Sequence, residues 1–111
     1  MNNTAHSLAI RALNDAFRTS MQGGTVMLTA GIVALGGDAQ VRIFAAVQAF
    51  DDFNDANDPW GEHDFGSVEL DGDRIFFKLD YYDLTRAMHS EDPADPSKTE
   101  RVLTIMLASE Y

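Results

Sequence analysis

The sequence predicts an α+β fold: a two-layer sandwich in which an antiparallel sheet of about four strands carries two helices on one face. Three observations lead there. Apolar residues recur at helical spacing in the first half of the chain. The second half carries short apolar runs, two of them joined by an Asp-Gly turn signal. Finally, 111 residues with 45% apolar content suffice for one core and are too few for two, so residues 1–111 are expected to form a single domain.

The elements follow in order. From Ala5 to Arg18 the apolar Ala9, Ile10, Leu13, Ala16 and Phe17 recur every three or four residues, with Arg11, Asn14, Asp15 and Arg18 between them. This is an amphipathic helix with Thr4 or Ser7 as N-cap, ended by Gly23-Gly24. Thr25 to Thr29, β-branched at alternate places, reads as a strand. Gly31 to Gly37 is a turn-like segment with room for one helical turn. A second helix follows, with Asp38 as N-cap and Val41, Ile43, Phe44, Val47 and Phe50 as its apolar face. Phe65 to Leu70 and Arg74 to Tyr82 read as strands joined by Asp71-Gly72-Asp73, because Asp-Gly supplies the backbone angles of a tight primed turn. Asp83 to Lys98 is mostly loop. The ending, Arg101 to Ala108, has helical spacing in Val102, Leu103, Met106 and Leu107, yet its continuous apolar run with Val, Thr and Ile also suits a strand buried on both faces. The strand is the preferred assignment.

Composition excludes several functions. With no cysteine there is no disulfide framework, thiolate metal site or thiol nucleophile. The first residues lack the basic and apolar regions of a signal peptide, and no apolar run approaches a membrane span, so a cytoplasmic location is expected. The net charge of -10 repels nucleic acid and anionic membrane surfaces. That charge is segregated: Asp51 to Asp95 holds fourteen Asp/Glu against Arg74, Lys78 and Arg86, while the remainder is nearly balanced.

The motifs that carry chemistry are few. His63 between Glu62 and Asp64, with His89 and His6 elsewhere, invites a metal or acid-base role, but no helical ligand spacing such as HExxH is present. An organising hydrogen bond in its loop is the simpler expectation for His63. The serines lack a nucleophile-elbow context, and Gly23-Gly24 and Gly36-Gly37 match no phosphate-cradle pattern. Trp60, in a Pro-Trp-Gly loop among carboxylates, is a candidate interface anchor; the competing role is a loop pinned to the core by its one large side chain.

Four stretches carry a family resemblance: Ile10-Arg11-Ala12-Leu13-Asn14-Asp15, Glu62-His63-Asp64-Phe65-Gly66, Asp80-Tyr81-Tyr82-Asp83, and Ser90-Glu91-Asp92-Pro93-Ala94-Asp95-Pro96 through Arg101-Val102-Leu103-Thr104-Ile105-Met106-Leu107-Ala108. In these the chain resembles an uncharacterised family of small alphaproteobacterial proteins found on plasmids and other mobile elements. The family brings no established activity; it implies a setting in which small acidic proteins counter host defence. In length, charge and setting the chain is also similar to small acidic inhibitors of type I CRISPR interference.

The expected function is therefore that of an anti-CRISPR-like inhibitor, not an enzyme, with no cofactor and no metal. Its expected partner is a basic nucleic-acid-binding protein, specifically a type I CRISPR surveillance complex whose DNA site it blocks by charge mimicry. The contact candidates are Asp51, Asp52, Asp55, Asp58, Glu62, Asp71, Asp73, Glu91, Asp92 and Asp95, with Trp60 as anchor. The competing expectations are a small metal-dependent or hydrolytic enzyme centred on His63, Glu62, Asp64 and His89, and an accessory protein of plasmid maintenance such as an antitoxin.

Overall fold

A computed structural model describes residues 4–111 of the chain. Helix α1 (Ala5–Ser20) starts where Thr4 Oγ1 accepts the backbone N–H of Ser7 at 3.0 Å. It stops at Met21, whose left-handed backbone turns the chain before the glycine pair and returns its N–H to the Phe17 carbonyl. Strand β1 (Thr25–Leu28), a short helix α2 (Ala30–Ala34) and helix α3 (Gly37–Ala49) follow. After a long loop come β2 (Phe65–Leu70), β3 (Asp73–Tyr82), a second loop, β4 (Glu100–Leu107) and a closing 3-10 turn at Ala108–Glu110.

Two local expectations are corrected in α3. Its N-cap position is Gly36, at φ +90°, and Asp38 lies inside the first turn, where an acidic residue suits the helix dipole, and pairs with Arg42 at 3.7 Å. Val41 is 67% exposed. Ile43 and Val47 set the inward face, and two residues back from Ile43 is about 200° around the helix, which turns Val41 to solvent.

The fold is α+β; the described residues form three α-helices and a four-stranded sheet in the order β1-β4-β3-β2. The sheet is mixed, which corrects the expectation of an antiparallel one. β2–β3 and β3–β4 are antiparallel, but β1 runs parallel to β4 from Thr25↔Val102 to Leu28↔Ile105. Alternation along a strand decides which residues share a face; it carries no information on neighbour or direction for strands some 75 residues apart. The β2–β3 hairpin forms as the sequence predicts, with positive φ at both Asp71 and Gly72 and Leu70 opposite Asp73.

The core takes Ile75, Phe77, Leu79 and Tyr81 from alternate positions of β3, Leu103 and Ile105 from β4, and Ile10, Phe17, Ile32, Ile43 and Val47 from the three helices. β4 lies between two strands and buries Val102 and Met106 as well as Leu103 and Ile105, which explains its unbroken apolar run. Phe65, Phe76 and Tyr111 form a separate aromatic cluster, with ring centroids 5.1 to 5.8 Å apart.

Candidate functional site

The inward face of α1 is not wholly apolar. Asn14 lies between Ile10 and Phe17 on that face and is fully buried. Its amide donates to the Glu62 carbonyl at 3.0 Å and to the Tyr81 hydroxyl at 2.8 Å, and its oxygen accepts from Arg101 Nε at 2.9 Å. The Tyr81 hydroxyl in turn donates to Glu62 Oε1 at 2.8 Å. Arg101 is buried, donates to the Pro93 carbonyl and lies over the Tyr81 ring, its centroid 5.3 Å away. Burial lowers the Arg101 pKa and raises that of Tyr81, which stays a neutral hydroxyl. One turn further along α1, buried Arg18 donates to the carbonyls of Val47, Gln48 and Phe50, so a side chain from one helix satisfies the end of another.

These contacts fix the loop that runs from 51 to 64. Asp58 is buried and its Oδ1 accepts the backbone N–H groups of Glu62 and His63 at 3.0 and 3.1 Å. Arg11 Nε donates to the Gly61 carbonyl at 2.6 Å. Held in this way, His63 adopts a left-handed backbone at φ +57° and stacks on Phe53, the rings 3.9 Å apart and within 4° of parallel. Its Nδ1 meets both oxygens of Asp15 at 2.9 and 3.1 Å; its Nε2 is 3.8 Å from Asp58 Oδ2. Arg11, Phe53, Asp55, Asp58 and His63 line a polar pocket of about 270 Å³.

The eleven contact candidates fall into distinct groups. Asp51, Asp52, Asp55 and Trp60 are exposed on one loop, Trp60 at 65%. Asp58 and Glu62 point inward and hold the loop together. Asp71 pairs with Arg42 at 2.7 Å, which holds its carboxyl below the ordinary range. Asp92 accepts from His6 at 3.0 Å and from the Ala94 N–H, Glu91 pairs with Lys98 at 3.3 Å, and Asp95 caps its own turn through Ser97. Asp73 is half-buried at the end of the β2–β3 turn.

The group expected for an enzyme is divided. Glu62 serves Tyr81, while Asp64 and His89 line a different pocket of about 290 Å³ beside Asp80 and Tyr82. Burial, with Glu62 next in weight, pushes Asp64 up to about 6. Among the described residues, no three His, Asp or Glu side chains converge to hold a metal ion. Sequence reasoning placed Asn14 and Arg18 among the outward positions of α1. The signal that could have found Asn14 is its spacing, four after Ile10 and three before Phe17. No local signal marks the contacts of Arg11 with Gly61 or of Arg101 with Asn14, which span 50 and 87 residues of sequence.

No helix among the described residues is long and apolar enough to cross a membrane. No curated protein matches the chain, and neither does any solved structure. A family model does match, that of a protein of unknown function (DUF3768), over residues 28–110. The match runs from the end of β1 through the whole of β4 and leaves α1, with Arg11, Asn14 and Asp15, outside it. The chain therefore belongs to the DUF3768 family, a small domain family of uncharacterised function.

Proposed function

We propose that this protein is an acidic binding module that acts by occupying a basic, nucleic-acid-handling surface of another protein. The observation that carries this is the state of the 51–61 loop. Asp51, Asp52 and Asp55 are exposed and make no ion pair among the described residues, whereas the exposed carboxylates of Asp71 and Glu91 are already paired with cations. Trp60 stands exposed beside them, which favours an anchor for a partner over a pin to the core. Unpaired carboxylates around one large aromatic suit a surface rich in Arg and Lys. In its specific form the proposal makes the chain an inhibitor from a mobile element of an alphaproteobacterial host, acting in the cytoplasm on a type I CRISPR surveillance complex. Length, acidity and the motif resemblance support that form.

The test is a pull-down from cells expressing the effector subunits, followed by competition with target DNA. Wild-type protein is expected to be retained and to displace DNA, with affinity falling steeply between about 0.05 M and about 0.5 M salt as screening shortens to a few ångströms. Replacing Asp51, Asp52 and Asp55 together by Asn is expected to weaken binding about tenfold or more, since each exposed pair contributes up to about 1 kcal/mol. Capture of no nucleic-acid-binding partner, or an affinity indifferent to salt, overturns the proposal.

A further inference from the structure

Asp15 on Nδ1 and the face of Phe53 hold the imidazole of His63 in one orientation, while Asp58 on its backbone N–H and Arg11 on the Gly61 carbonyl two residues before fix the loop that carries it. Asp15 accepting at Nδ1 puts the proton of the neutral ring there and leaves a lone pair on Nε2. Among the described residues Nε2 has no hydrogen-bond partner; Asp58 Oδ2, on a side chain only 4% exposed, is the nearby carboxylate at 3.8 Å. The ring borders the 270 Å³ pocket, and so does Arg11, which makes no ion pair among the described residues despite eighteen Asp and Glu in the chain. A carboxylate behind a fixed imidazole, an Nε2 without a hydrogen-bond partner and a guanidinium without an ion pair, all bordering one pocket, are the parts of a general-base site.

We propose that this pocket is a hydrolytic site for small neutral carboxylic esters, with His63 and Arg11 as catalytic residues and Asp15 as a positioning residue. Nε2 takes a proton from water as the water oxygen bonds to the carbonyl carbon. The displaced π pair settles on the carbonyl oxygen, where Arg11 N–H groups stabilise the single negative charge. On collapse the C=O re-forms, the bond to the alcohol oxygen breaks, and that oxygen takes the proton back from Nε2. Acid and alcohol leave, and Asp15 stabilises the transient imidazolium. Charge selects the substrate: the six carboxylates between 51 and 64 repel phosphoesters, and the pocket of about 270 Å³ accommodates a small acyl group.

The probe is p-nitrophenyl acetate with the intact chain. Wild type is expected to exceed His63→Gln by about 100-fold in kcat/KM, the usual range for a positioned base. His6 and His89 remain in the variant, so the difference belongs to His63. Arg11→Gln should lose about tenfold or more with ring nitrogen shifts unchanged, whereas Asp15→Asn should move the proton from Nδ1 to Nε2 in ¹⁵N spectra and bring the rate down to that of His63→Gln. A wild-type rate within about twofold of His63→Gln overturns the proposal. If His63→Gln does not fold, a wild-type ring protonated on Nε2 when neutral, or full activity in Arg11→Gln, overturns it equally. None of these readouts involves a protein partner, so the result is independent of the proposed binding surface.

Discussion

Asn14 is the residue through which α1, β3, β4 and the 51–64 loop share hydrogen bonds, since Glu62, Tyr81 and Arg101 all meet its side chain. Asn14→Leu keeps the volume and strands a buried guanidinium, a hydroxyl and a carbonyl. The expected loss is about 3 kcal/mol, read from urea denaturation, because orphaned buried groups cost far more than the bonds contribute when made. Asp64 makes a prediction in pH. Its folded pKa is raised from 3.8 to about 6 by burial and by the nearby Glu62 charge, so between those values the native state holds the proton more tightly than the unfolded chain. Its contribution to stability therefore falls as pH rises from about 4 to about 6 and is flat above. The stability of Asp64→Asn relative to wild type should increase across that window and then level off. The carboxyls of Asp71, Asp83 and Glu100, held low by hydrogen bonds or cations, act with the opposite sign below their ordinary range and cancel in the difference. At this scale the sequence was legible where one neighbour decides the outcome, as in the Thr4 cap. It was opaque for Asn14, Arg18 and Arg101, whose burial depends on partners far along the chain.

At the scale of elements, β3 and β4 are the centre of the sheet, and β2, paired with β3, brings Gly66 against the core. A methyl group on Gly66 would collide with the Phe77 ring and come within 2.9 Å of Phe50. Gly66→Ala is expected to destabilise the protein by about 2 kcal/mol in thermal or urea unfolding, the usual cost of overpacking a filled site. A comparable change at Gly72 would meet no neighbouring atom and would be limited to the strain of its positive φ. The β2–β3 hairpin and the C-terminal strand were legible because turn chemistry and two-sided burial leave local marks. The parallel pairing of β1 with β4 left none, since it joins residues on opposite sides of two helices and a hairpin.

Across the whole molecule, the segregation of charge is a property of the sequence, but what each carboxylate does is not. Of the eleven candidates, structure turns Asp58 and Glu62 into internal supports, commits Asp71, Glu91 and Asp92 to cations or His6, closes Asp95 on its own turn and half-buries Asp73, leaving Asp51, Asp52 and Asp55 around Trp60. The His63 run changes in the opposite sense: the sequence neighbours Glu62 and Asp64 are not its partners, and the carboxylates that face its ring, Asp15 and Asp58, come from α1 and from five residues upstream. By itself the sequence determined the α+β class, the hairpin, the acidity and its confinement to one segment, because periodicity, turn residues and composition act locally or additively. Only the tertiary structure decided strand direction, the polar network through Asn14, and which acidic groups remain unpaired. Hydrogen bonds and ion pairs depend on distances of a few ångströms, and those are set by packing between residues that the sequence keeps far apart.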